Sequence, residues 1–146
     1  MKPPPSPLAA SLREETARGD LVLVVDDVPD NLAVLHDALD ESGYTVLVAT
    51  NGEQALARAA QARPDVVLLD AVMPGLDGFE VARRIRVASP SPRPMLIAVT
   101  GYGTPADREK ALAAGFDAHL VKPVDFDKLL AILHQPYRAP PAVQKM

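Results

Sequence analysis

The stretch Asp65-Val66-Val67-Leu68-Leu69-Asp70 decides the fold. Its four middle residues are aliphatic at every position, so no alternation marks a wet face. A strand with one side in water alternates apolar and polar residues, whereas a strand covered on both sides does not. The run therefore reads as a strand buried inside a parallel sheet. Working outward, the same sign recurs. Leu21-Val-Leu-Val-Val25 precedes it and Met95-Leu-Ile-Ala-Val-Thr100 follows it. Tyr44–Ala49 and Asp117–Val121 supply two more short runs.

Between the runs the period changes to that of a helix. Leu32, Leu35 and Leu39 stand at i, i+3 and i+7. Ala55, Leu56 and Ala59 form a second stripe, and Val81, Ala82 and Ile85 a third. Ala111, Leu112 and Ala114 give a weaker fourth; Phe126, Leu129, Leu130 and Leu133 give a fifth. Gly43 and Gly115 fall where a left-handed helix cap costs glycine little. Strand and helix alternate five times, which predicts an α/β domain with an open, doubly wound parallel sheet. Ligands of such folds bind at the carboxyl ends of the strands.

Composition narrows the chemistry. The chain has 146 residues, enough for one domain. It has no cysteine, which excludes disulfide scaffolds, thiol catalysis and cysteine-held metals. The histidines, His36, His119 and His134, share no metal-ligand spacing. Hydrophobic residues make up 48 % and aromatics 4 %, so a sizeable core is expected and it should be aliphatic. A net charge of −4 argues against nucleic acid as a partner. No run is long enough to span a bilayer, and the N-terminus lacks the pattern of a signal peptide, so the cytoplasm is the expected compartment. Ten of the 15 prolines lie in the two ends and the Pro90–Pro94 loop. Residues 1–19 and 137–146 read as Pro-rich tails around a domain at 20–136. Leu8–Arg18 has the apolar spacing of a short helix but no evident packing partner.

The strand ends carry one kind of chemistry. The first run is followed by Asp26-Asp27; the third ends in Asp70, and the fourth in Thr100. Lys122-Pro123 follows the fifth. For any one aspartate the bland reading is a helix cap, and Asp27 and Asp70 each qualify. Together the five residues point elsewhere. Two carboxylates about 4 Å apart repel by about 4 kcal/mol at an effective dielectric near 20. A hard divalent cation is the simplest compensation, and Mg²⁺ favours oxygen ligands. A lysine and a hydroxyl suit phosphoryl oxygens. The middle carboxylate is then free to act as nucleophile.

At residues 20–136 the sequence resembles the receiver domain of two-component response regulators. Val-Val-Asp26-Asp27 is similar to that family's acidic pair. Leu-Leu-Asp70-Ala-Val-Met-Pro74-Gly-Leu-Asp77-Gly78 is similar to its phosphoacceptor strand and loop. Ala-Val-Thr100-Gly and Val-Lys122-Pro123 complete the set. The resemblance implies a three-layer, flavodoxin-like fold with five strands in the order 2-1-3-4-5 and five helices. It implies that Asp70 accepts a phosphoryl group from a phosphohistidine on a sensor kinase or phosphotransfer protein. It implies Mg²⁺, with Mn²⁺ as a substitute, held by Asp27, Asp70 and the backbone carbonyl of Val72, and by Asp26 mainly through a water. Lys122 and Thr100 would act on the phosphoryl group, and the Lys122–Pro123 peptide would be cis. Thr100 and the residue three before Lys122 would form the switch that changes binding to a downstream protein. The chain would then catalyse only its own phosphorylation and dephosphorylation.

Departures from the family pattern are specific. The switch position holds His119 in place of Tyr or Phe, which adds a titratable ring. Val72 and Tyr102 stand where family members flank the hydrolytic water, and neither can orient it, so slow loss of phosphate is expected. Val34 and Ala38 lie about 100° around the first helix from its core stripe and suit a partner helix. A second copy of the chain is another candidate partner. The phrase Leu-Ile-Ala-Val-Thr-Gly-Tyr-Gly and the short end after the last helix look like receivers of hybrid histidine kinases. A stand-alone regulator is the other expectation, with no output domain in the chain. The competing function is a Mg²⁺-dependent phosphatase working through an aspartyl-phosphate, but Asp70-Ala71-Val72 lacks the second acid of that motif.

Overall fold

A computed structural model describes residues 21–73, 75–89, 94–101 and 103–134. The expected tails, Pro74, Tyr102 and Pro90–Arg93 lie outside the described residues. The chain runs β1 (Leu21–Val25), α1 (Pro29–Glu41), β2 (Thr45–Ala49), α2 (Gly52–Ala62) and β3 (Val66–Asp70). It continues through α3 (Gly78–Ala88), β4 (Met95–Thr100), α4 (Pro105–Ala114), β5 (Ala118–Val121) and α5 (Phe126–Leu133). All four strand pairings are parallel and the order is β2-β1-β3-β4-β5. This is the flavodoxin-like arrangement that the resemblance implied.

The unbroken apolar runs have a direct cause. In β1, β3 and β4, Leu23, Val25, Val67, Leu69, Leu96 and Ala98 pack towards α2, α3 and α4. The intervening Val22, Val24, Val66, Leu68, Ile97 and Val99 pack towards α1 and α5. Both sides of the three central strands are thus covered. The largest fully buried side chains are all Leu, Ile or Val, as the composition predicts. Phe79 and Phe116 are the aromatic exceptions, meeting edge-on at 6.1 Å between centroids.

Several boundaries move by one residue, for stated reasons. Tyr44 precedes β2 because its amide turns back to the Leu39 carbonyl at 3.1 Å, closing α1. Asp65 precedes β3 because its carboxylate accepts the Leu21 amide at 3.0 Å. Asp117 precedes β5 because its carboxylate accepts the Leu96 amide and pairs with Arg86. Gly43 and Gly115 adopt φ of 96° and 105°, as expected at helix ends. Arg63 takes the same left-handed region at φ 50°, ending α2 without glycine. Leu112 is a correction. It is 63 % exposed, because Ala111 and Ala114 alone face the core from α4. Leu130 is half-buried, with Leu129 and Leu133 carrying the buried stripe of α5. Among the described residues no helix is long and apolar enough to cross a membrane.

Candidate functional site

Parallel strands deliver their carboxyl ends to one edge, and the polar residues after the core runs collect there. Asp26 follows β1 directly and is only 4 % exposed. Its Oδ1 accepts the Val28 amide at 2.9 Å and its Oδ2 accepts Asn31 Nδ2 at 3.2 Å. Pro29 then opens α1, and Val28 stands at the cap position with no side-chain cap bond. Asp27 caps nothing and is exposed. Asp70 ends β3 and is 2 % exposed. It is no cap either, since Asp77 caps α3 through the Glu80 amide at 2.9 Å. Asp70 Oδ1 instead accepts the Val72 amide at 3.0 Å, and Oδ2 accepts Lys122 Nζ at 2.9 Å. The bland capping reading therefore fails for both residues.

Asp26, Asp27 and Asp70 each offer a carboxylate oxygen, and these lie within 4.8 Å of one another. Burial pushes the Asp26 carboxyl above its ordinary value, and the charge on Asp70 adds to this against the pull of the Val28 amide. Burial lowers the Lys122 ammonium, but its bond to Asp70 and the charges of Asp70, Asp26 and Asp27 outweigh that, and the net change is upward. Lys122 is thus held charged against a cluster of three carboxylates, more negative charge than one lysine can balance. Only oxygen donors converge, without sulfur or imidazole among the three. That donor set suits a hard divalent cation such as Mg²⁺.

Thr100 ends β4 and is 5 % exposed. Its Oγ1 lies 2.6 Å from His119 Nε2 on β5. Its carbonyl accepts the Lys122 amide at 2.7 Å, tying the lysine loop to the same strand end. The Lys122–Pro123 peptide is cis. Burial lowers the His119 ring below its ordinary value, the nearby Arg108 charge lowers it further, and Asp107 opposes. Val72 is 72 % exposed. Beside the site a cavity of about 410 Å³ runs between α1 and the Lys122–Val124 segment, with Asp26, Asp70 and Lys122 at its polar end. Val34 on α1 lines its rim and is 68 % exposed, while Ala38 is half-buried.

Two features escaped sequence reasoning. Asn31, the partner of Asp26, looks in sequence like any polar residue in a first helical turn. It stands five residues after Asp26, a spacing that no helical period singles out. The direct bond between His119 and Thr100 depends on strand register, which sequence spacing does not carry.

Comparison with known proteins agrees with this geometry. The family description "Response regulator receiver domain" matches residues 22–134. Protein PilH of Pseudomonas aeruginosa is 40 % identical over 114 residues, covering 77 % of this chain and 93 % of PilH. The virulence sensor protein BvgS of Bordetella pertussis is 37 % identical over 137 residues, covering 90 % of this chain but 11 % of BvgS. The solved receiver domain of the sensor histidine kinase PA1611 from Pseudomonas aeruginosa, with magnesium in its active-site cleft, superposes with a TM-score of 0.71. It is 36 % identical, covering 79 % of this chain and 94 % of that one. A buried aspartate paired with lysine, two further acids beside it, a strand-end threonine and the matching relatives lead to one conclusion: this chain belongs to the response regulator receiver domain family of two-component signalling.

Proposed function

We propose that Asp70 accepts a phosphoryl group from a phosphohistidine and that the resulting charge switches binding to a protein partner. The observation that carries this reading is the setting of Asp70. It is buried, its Oδ2 is paired with Lys122 at 2.9 Å, and two other aspartates reach within 4.8 Å.

A carboxylate oxygen of Asp70 attacks phosphorus. The O–P bond forms as the P–N bond breaks, and the departing imidazole keeps the electron pair and takes up a proton. Lys122, held charged, gives up its bond to Asp70 and neutralises a phosphoryl oxygen. Thr100 donates its hydroxyl to another. Asp27, Asp70 and the Val72 carbonyl would hold Mg²⁺, or Mn²⁺ in its place, with Asp26 acting through a water. The ion supplies electrostatic stabilisation of the charge on the transferred group. The phosphoryl group brings a charge of about −1.5 to −2, by analogy with phosphorylated hydroxyls. Thr100 and His119 then pass the change to the outer side of β5.

The donor partner is a sensor histidine kinase or a histidine phosphotransfer protein. Val34, exposed at the rim of the cavity beside Asp70, supports a docking helix there. A downstream protein, or a second copy of the chain, reads the switched state. The receiver occupies residues 20–136, acts in the cytoplasm and turns over no metabolite. It serves either alone or as part of a hybrid kinase.

The test is mass spectrometry after acetyl phosphate and Mg²⁺. Wild type gains one phosphoryl group and Asp70→Asn gains none. A wild type that gains none overturns the proposal. Val72 offers no carboxylate or amide to a hydrolytic water, so the phosphorylated form should decay over minutes. Decay within seconds contradicts that expectation.

A further inference from the structure

The register of β4 and β5 pairs Ala98 with His119 and Thr100 with Val121. His119 therefore projects on the same side of the sheet as Thr100. Their side chains meet, Nε2 to Oγ1, at 2.6 Å. A threonine hydroxyl has one proton to donate, and a neutral imidazole has one nitrogen able to accept it. Burial and the Arg108 charge on α4 favour the neutral ring, with Asp107 on the same helix opposing. A phosphoryl group on Asp70 needs that same hydroxyl proton.

We propose that His119 is a positioning residue that holds the Thr100 hydroxyl proton on Nε2 in the resting protein, so that the ring and the phosphoryl group compete for it. This rests on the reading of Asp70 as phosphoacceptor. The ring proton then resides on Nδ1. A phosphoryl group is a charged acceptor and wins against a neutral nitrogen. Thr100 turns its proton inward, and the ring loses its partner on β4. The signal leaves the site as a hydrogen-bond exchange, and the ring is released by losing a bond before any rotation. The resting bond opposes activation by the worth of one ordinary hydrogen bond.

The experiment reads the His119 ring by ¹⁵N NMR, with and without acetyl phosphate or beryllofluoride in the presence of Mg²⁺. The resting ring should be the Nδ1–H tautomer with Nε2 as acceptor, and its shifts should move towards those of a free imidazole on phosphorylation. A resting Nε2–H tautomer overturns the proposal, because that ring would donate to Thr100 and leave the proton uncontested. A second readout is beryllofluoride affinity. His119→Leu should bind the mimic roughly fivefold more tightly than wild type, the equilibrium worth of one hydrogen bond. His119→Gln, which keeps an acceptor, should stay near wild type. The gap between wild type and His119→Leu should close as falling pH protonates the ring, since an imidazolium cannot accept. Equal affinities at all pH values overturn the proposal. If His119→Leu does not fold, the wild-type spectra decide alone. Phosphate gain on Asp70 with an unchanged ring defeats the latch and leaves the phosphoacceptor reading intact. No phosphate gain defeats both.

Discussion

Asp26 sits between the Val28 amide, the Asn31 side chain and the charge on Asp70, nearly out of contact with water. Its carboxyl is raised, so the folded protein binds that proton more readily than the unfolded chain does. Stability from this group is therefore fully present below the ordinary carboxylate range and is lost as pH rises through the raised value. Wherever it is ionised, the buried Asp26 carboxylate opposes folding. Asp26→Asn should stabilise the metal-free protein by roughly 1–3 kcal/mol, the usual penalty of an imperfectly compensated buried group. It should also flatten the pH dependence between the ordinary carboxylate range and the raised value, as urea titrations would show. The same change should weaken Mg²⁺ binding, measured by calorimetry; an unaltered affinity would place Asp26 outside the metal site. Asp26, Asp27, Asp70, Thr100 and Lys122 were legible in the sequence because each follows an aliphatic run, and a parallel sheet sends all such positions to one edge. Asn31 was not, because polar residues in a first helical turn are common and its use depends on where Asp26 turns.

The β3–α3 connection shows how tightly an element can hold a site. A Cβ built on Gly78 would lie 2.4 Å from the Asp70 carbonyl and 2.6 Å from Ala71 Cα. Both are backbone atoms at the end of a central strand and cannot yield alone. Gly78→Ala should cost about 1–3 kcal/mol, as overpacking does, and should reduce phosphorylation by displacing Asp70. Normal phosphorylation of a folded Gly78→Ala protein would contradict the close packing. At the other end of α3, Arg86 spans to the Gly115 carbonyl at 3.1 Å, the Pro94 carbonyl at 2.7 Å and the Asp117 carboxylate. It joins α3, the start of β4 and the turn before β5. Arg86→Lys should not restore what Arg86→Met removes, because an ammonium lacks the planar fork that reaches three acceptors. Urea midpoints of the two variants would decide. Helix and strand identity was legible here from periodicity, whereas this cross-link was not. Nothing in the spacing of Arg86, Pro94 and Asp117 announces that they meet. Leu112 misled for a related reason: α4 presents only a narrow small-residue edge, and a leucine beside that edge falls in water.

Among the described residues, two apolar layers enclose the sheet, and the buried carboxylates Asp26 and Asp70 lie at its acidic edge. The layers follow from the aliphatic runs alone; the strand order came only through the resemblance to receivers, since periodicity does not rank strands. Asp26 and Asp27 come from the β1 end and Asp70 from the β3 end, so the carboxylate cluster exists only when the sheet is assembled. A cation that needs all three therefore binds the folded chain and ignores the unfolded one. By mass action such a ligand stabilises folding by about 2.7 kcal/mol at 100 times its dissociation constant. Mg²⁺ should raise the urea midpoint of wild type progressively with concentration, and sodium chloride of equal ionic strength should raise it much less, because screening relieves the repulsion without filling a site. Asp27→Ala should begin more stable than wild type without metal, having lost one repelling charge, and should gain little from Mg²⁺. The two unfolding curves then converge or cross as Mg²⁺ rises. An equal Mg²⁺ response in both proteins, or a wild-type response matched by sodium, would mean that the cluster is screened as a surface patch and binds no ion.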